Sequence, residues 1–294
     1  MTKLFTYSAL LAGLALLGTT TQADAQQFTK RKQYTSIGVS LNAMNYFGDV
    51  NPETNFASFK FGDTRPNLGV TITHRYSPRV SGRLGLAVGR IAANDDNQAT
   101  TGDAMFRNNR NVNFRSNIAE VSGVIIVDLI ENRNNYLKRP DFVPYLFGGV
   151  AGFYFNPQGT RNGGATWTDL QPLMTEGVNY SRVSLAIPFG GGVRYRINRN
   201  LDASLEIGLR KTFTGYLDDV NGNYLGQAAL AQGDNGAGDR TYFGYGITKN
   251  PNLNGNFAGA GVKRGQGKDD WYTVVGFSLN YILPTRIINP KFRN

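Results

Sequence analysis

The chain contains no cysteine and a single histidine, His74. The first absence removes disulfides, thiol catalysis and zinc–thiolate sites together. The second leaves little material for His-based acid–base chemistry. Acidic residues are also scarce, 21 Asp and Glu against 31 Lys and Arg, a formal net charge of +10. Long apolar runs are missing too. The one extended run, Leu10 to Leu17, falls short of the roughly 18–20 residues a membrane helix needs.

That run is preceded by Lys3 and followed by Ala23-Asp24-Ala25, the pattern of a secretory signal peptide cleaved after residue 25. Residues 26–294 then read as one domain, with no composition typical of an interdomain linker. A net charge of +10 suits nucleic-acid binding in a cytosolic protein; in an exported chain it argues for other partners, and no nucleic acid is expected. An exported chain without a spanning helix enters a membrane only as a barrel.

What is abundant points the same way: 36 Gly, 15 Tyr and 18 Phe suit turns, a packed barrel interior and interfacial rings. Val183 to Phe213 carries the clearest pattern. Its odd positions are almost all apolar and its even positions are small, polar or charged, with Pro188 the misfit and Asn198-Arg199-Asn200 as the break. Two such runs joined by three turn residues predict a long antiparallel hairpin with one greasy face. Each arm is about twice the roughly 5–6 residues of an ordinary strand.

The same period predicts strands at about 35–43, 67–76, 80–91, 117–129, 142–155 and 271–283, giving an all-β, eight-stranded antiparallel transmembrane barrel. On 142–155 the odd positions Val143, Tyr145, Phe147, Ala151, Phe153 and Phe155 are assigned to the lipid face. Connections alternate: short at Ser77–Arg79 and Asn198–Asn200, medium at 130–141, long at 44–66, 92–116, 156–182 and 214–270. Short periplasmic turns and long outer loops follow. Tyr46, Phe47, Phe153, Phe155, Phe213 and Trp271 are the expected outer aromatic girdle. Tyr34, Tyr76, Tyr145, Tyr195 and Tyr281 are the expected inner one.

The inward charges Glu120, Asp128, Arg194, Arg196, Asp202, Glu206 and Arg210 are expected to fill the lumen as a mutual ion-pair network, since eight strands enclose little more than side chains. Arg196 faces Asp202 and Arg194 lies diagonal to Glu206. A selective pore lined by the same residues is the competing reading. His74 points outward near the inner interface without a nucleophile or acid in view, so no enzyme is expected. Asp218-Asp219 is expected on solvated loop surface; two carboxylates fall short of the roughly six to eight oxygens calcium takes, so neither metal nor cofactor is expected.

The periplasmic end is strongly basic. Segments 26–36, 74–83, 128–142, 194–202 and 284–294 hold fifteen Lys or Arg against four Asp or Glu. Either phospholipid headgroups or an acidic periplasmic partner fits such a surface. The candidates for partner contact are Arg133, Lys138, Arg139 and Arg199, with Arg286, Lys291 and Arg293 on a periplasmic tail, 284–294.

Several phrases resemble one family: GGVAGFYFNP at 148–157, WTDLQPL at 167–173 with TEG at 175–177, IPFGGGVRY at 187–195, TGYLDDV at 214–220 and DWY at 270–272. They are similar to the PorG-like outer-membrane barrels of the type IX secretion and gliding system. The family's TDYLDDVS pattern has Gly215 and Asn221 here at its second and last positions. The resemblance implies a non-enzymatic barrel that ties a periplasmic ring, built by a lipoprotein and its partner subunit, to the outer membrane. A stand-alone surface or adhesin-type barrel using its four long loops is the alternative.

Overall fold

The computed structural model describes residues 32–50, 61–95, 109–161, 164–234, 238–245 and 257–284. The expected signal peptide and most of the expected C-terminal tail lie outside them. Eight long strands form the wall: β1 (Thr35–Phe47), β2 (Arg65–Arg75), β3 (Val80–Asn94), β4 (Asn113–Asp128), β5 (Phe142–Gly159), β7 (Val183–Arg196), β8 (Leu201–Thr212) and β9 (Trp271–Ile282). A two-residue strand, β6 (Thr168–Asp169), adds to the outer end of β5. All pairings are antiparallel. The order β4-β3-β2-β1-β9-β8-β7-β5 closes through β4–β5, so the eight strands make a complete barrel without a free edge.

Turn chemistry sets the registers. The Asn198 side chain accepts from the backbone N–H of Asn200 and Leu201, both at 2.9 Å, which places Arg196 opposite Asp202. Ser77 does the same for Val80 at 2.9 Å. Asn135 caps the 3-10 turn Tyr136–Lys138 within the third inner connection. Pro188 pairs with Arg210 on β8, but towards β5 the ladder breaks at Ile187-Pro188 opposite Gly149-Val150. A residue without an N–H fits only such a gap.

The wall is apolar outside. Val39, Leu41, Leu68, Leu84, Leu86, Val121, Ile125, Leu185 and Leu205 are exposed around the circumference, Leu84 and Val150 to 69 %. A belt of this extent, on a closed sheet whose interior is polar, is stable only against lipid.

Strand β5 corrects the sequence expectation. Val143, Tyr145, Phe147, Ala151, Phe153 and Phe155 are all buried in the lumen, and Phe142, Leu146, Val150 and Tyr154 face out. The cause lies on the neighbouring strands. Tyr145 pairs with Gly192 and Phe147 with Gly190, and a Cβ at Gly192 or Gly208 would fall 2.8 Å from the Tyr145 or Phe147 ring. Inward glycines on β7 and β8 vacate the space these rings occupy. The girdles change accordingly. Tyr46, Phe153, Phe155, Tyr34 and Tyr145 are interior and Phe47 is buried, while Phe213, Tyr76, Tyr195 and Tyr281 do face out, joined by Phe142 and Tyr154.

Candidate functional site

Three layers of side chains stand between the two ends of the barrel. At the inner end, Arg139 on the 130–141 connection folds back into the barrel mouth and is only 4 % exposed. Its guanidinium donates to Asp202 at 2.5 Å and to the carbonyls of Tyr136, Arg199 and Asn198 at 2.5, 2.7 and 2.9 Å. Arg139 is thus a latch between two turns and not part of an open surface, contrary to the sequence expectation. It takes Asp202, and Arg196 turns instead to Asp141 and the Arg139 carbonyl. Around it, Arg133, Lys138 and Arg199 are exposed. Arg133 is bonded to Glu131 at 2.8 Å. Arg286, Lys291 and Arg293 lie outside the described residues.

Also at the inner end, Asp128 receives Arg75 at 2.7 Å and Arg194 at 3.3 Å, and the middle layer lies above. Arg194 also sits 5.0 Å over the Tyr145 ring. Glu206 is held by Arg83 and by the Tyr145 hydroxyl at 2.6 Å, so its partner is Arg83 and not Arg194. Glu120 accepts from the Tyr272 hydroxyl at 2.6 Å and lies 3.6 Å from Arg210. Arg83 is the member that sequence reasoning placed at the basic rim. Its inward parity on β3, opposite that of Leu84 and Leu86, was the available signal. Among the described residues the lumen keeps small cavities, of about 80 and 20 Å³, enough for a few waters.

At the outer end, the long loops fold into the mouth as a cap. Met44, Tyr46, Ile91, Phe114, Phe153, Phe155, Leu217 and Val220 form one buried cluster there. TGYLDDV at 214–220, expected at a solvated loop, is its centre: Leu217, Asp218, Asp219 and Val220 are essentially inaccessible. Asp219 accepts from Thr175 at 2.5 Å and Tyr180 at 2.6 Å. Arg264 donates to Thr175 at 2.7 Å, to the Asp219 carbonyl at 3.0 Å and to Glu176 at 3.2 Å. Arg110 forks onto Asp95 at 2.8 and 2.9 Å and donates to the carbonyls of Asp49 and Arg264. All four long loops are therefore tied together.

Within this cap the Tyr46 hydroxyl lies 2.6 Å from Asp218 and 2.9 Å from Asp270, and accepts from the Asp49 N–H at 3.1 Å. One hydroxyl carries one proton, so bonding both carboxylates requires a second proton on one of them. Burial raises Asp218 and Asp270 well above the usual carboxylate range, each reinforced by a neighbouring carboxylate. Burial likewise pushes Asp49 and Asp219 up to about 6, the latter against the pull of Arg264. Among the described residues, no group of three or more His, Asp or Glu is arranged to hold a metal ion.

His74 lies on the outer wall, its Nδ1 2.8 Å from the Thr35 hydroxyl and its ring edge-on to Tyr76. That contact is one of wall packing, and among the described residues no carboxylate is bonded to the ring.

A closed eight-stranded wall, a lipid-facing belt and a lumen filled from end to end define a plugged transmembrane β-barrel. The chain belongs to the family described as Domain of unknown function (DUF6089), whose model matches residues 24–251. No curated protein matches it. Solved structures similar to it include the N-terminal β-barrel domain of OprF from Pseudomonas aeruginosa, at 11% identity over 85% of this chain and 99% of that one, with a TM-score of 0.33. Neisserial surface protein A is similar at 10% identity, 84% and 96% coverage and a TM-score of 0.38. So is outer membrane protein W of E. coli, at 13% identity, 87% and 100% coverage and a TM-score of 0.36. The strand pairing, rather than these distant likenesses, defines the fold.

Proposed function

We propose that the protein is a non-enzymatic outer-membrane barrel of the type IX secretion machinery, which anchors a periplasmic ring complex through its inner rim. The observation that carries this reading is the inner end itself. Arg133, Lys138 and Arg199 present positive charge on two inner connections, and the buried Arg139 holds those connections in one fixed arrangement. A rigid basic rim suits an acidic protein surface, because prepaid ordering raises affinity and charge steers encounter. The resemblance of the phrases between 148 and 220 to PorG-like barrels supports a lipoprotein and its ring subunit as the partner. Export by a cleaved leader and residence in the outer membrane belong to the same proposal.

Co-purification of the tagged full-length barrel with ring components tests it. The comparison variants are Arg133→Glu/Lys138→Glu/Arg199→Glu and a truncation lacking Pro284–Asn294. Loss of recovery in the first, with unboiled gel migration still that of a compact barrel, supports the rim contact. Unchanged recovery in both removes these residues from it. A stand-alone surface barrel, the second reading, predicts that no ring component co-purifies with the unaltered protein.

A further inference from the structure

On the outer wall near the long-loop end, a recess of about 420 Å³ opens between the barrel and the segment just before β9. Its size falls within the roughly 300–1,000 Å³ that holds small ligands. Phe47, Leu209, Trp271 and Thr273 line the wall side, and each carries the outward parity of its strand. The overhang above them consists of Gln266, Lys268 and Asp269. It is fixed rather than loose: the Gln266 N–H donates to Asp49 at 2.7 Å, and the Thr212 hydroxyl donates to the Asp270 carbonyl at 2.6 Å.

The polar lining is incomplete. Thr273 is 1 % exposed, yet among the described residues its Oγ1 has no hydrogen-bond partner, and the same holds for Oδ2 of the buried Asp49. A buried hydroxyl left unpaired is unfavourable, so a ligand acceptor that satisfies it is favoured there. Two cations flank the recess. Lys268 is exposed at its mouth, and Lys211, also on the outward parity, lies 5.9 Å over the Trp271 ring. Three carboxylates also line the recess: Asp269 is exposed, while the buried Asp49 accepts from the Gln266 N–H and the buried Asp270 accepts from the Tyr46 hydroxyl and the Leu217 N–H. An outward apolar wall topped by a hydroxyl donor and two ammonium groups, with the carboxylates of Asp49 and Asp270 already engaged inside the cap, suits a molecule with a chain below and ester and phosphate oxygens above.

We propose that this recess binds a phosphorylated lipid of the adjoining leaflet, with an acyl chain on Leu209 and Trp271, an ester oxygen at Thr273 and the phosphate between Lys211 and Lys268. The site requires the barrel to span the membrane but is independent of any ring partner. Native mass spectrometry of the full-length, delipidated barrel in detergent, with lipids added back, tests it. The probes are phosphatidylglycerol, a diacylglycerol with the same chains, and glycerol 3-phosphate. The variants are Leu209→Trp, which obstructs the wall side of the recess, and Lys211→Ala/Lys268→Ala; unboiled gel migration reports whether each is folded. The expected result is retention of phosphatidylglycerol alone, with about a tenfold loss of affinity in either variant. Equal retention of diacylglycerol, equal retention of glycerol 3-phosphate, or unchanged phosphatidylglycerol binding in the variants overturns it. Should Leu209→Trp fail to fold, the lysine pair decides alone.

Discussion

The two ends of this barrel are closed by opposite means. The inner end is shut by one arginine on one connection, reaching across to a single carboxylate and three carbonyls. The outer end is shut by four loops that bury carboxylates beside one another around Tyr46, with Arg110 and Arg264 as the compensating charges. An inner plug of that kind balances charge pair by pair. An outer cap that crowds carboxylates keeps protons as part of its structure.

The largest effect separating the two is expected from Arg264→Ala. It leaves Glu176 and Asp219 buried without their cation, a loss of roughly 3–5 kcal/mol. Chemical denaturation of the refolded barrel measures the total, and hydrogen exchange should place the loss at the outer loops with the inner turns still protected. Uniform loss of protection would show that the ends are one cooperative unit. Next comes Arg139→Lys at the inner end. Lysine keeps the charge but lacks the fork that reaches Asp202 and three carbonyls together, at a cost of about 1–3 kcal/mol. Exchange at Asn198–Leu201 should rise while the cap is unchanged.

Acidity gives a smaller effect confined to the outer end. Asp49 and Asp219 have folded-state values of about 6, above the unfolded carboxylate value of about 3.9. The folded state therefore binds more protons between these values, and the associated stability is present at low pH and lost as pH rises through 6. Lowering pH from 7 to 5 should stabilise the cap by about 1 kcal/mol per group, and Asp219→Asn should remove its share. A midpoint that moves equally with pH in wild type and Asp219→Asn contradicts this. Arg133→Ala marks the bottom of the scale: its pairing with Glu131 is exposed, and the change in midpoint should stay below about 0.5 kcal/mol.

The wall was legible in the sequence wherever polarity differed between alternate residues. On β8, Asp202, Ser204 and Glu206 against Leu205 and Ile207 leave one choice of face. On β5 both parities are apolar, Tyr145, Phe147 and Phe153 against Leu146, Val150 and Tyr154, so the pattern sets no direction. What decides is complementarity with Gly190, Gly192 and Gly208, which lie on other strands and become neighbours only once the register is known. The cap was illegible for a related reason. Asp218 and Asp219 read as solvent-facing because their compensating groups, Tyr46, Thr175, Tyr180 and Arg264, come from distant parts of the chain. The inner charges were visible as inward-pointing, but pairing between neighbouring strands did not reveal that Arg83 and Arg139, from further away, take Glu206 and Asp202.

Tyr46 sits on the first strand, opposite Tyr272 on the last, and its hydroxyl meets Asp270 just before that last strand begins. The two margins of the sheet that must find each other for the cylinder to exist are thus buttoned at the rim by groups 224 residues apart in sequence. Contacts of such separation carry the heaviest loop-closure cost and form late. The cap therefore doubles as a completion mark: it reinforces, at the rim, the β1–β9 ladder that runs from Ser36 opposite Ile282 to Phe47 opposite Trp271.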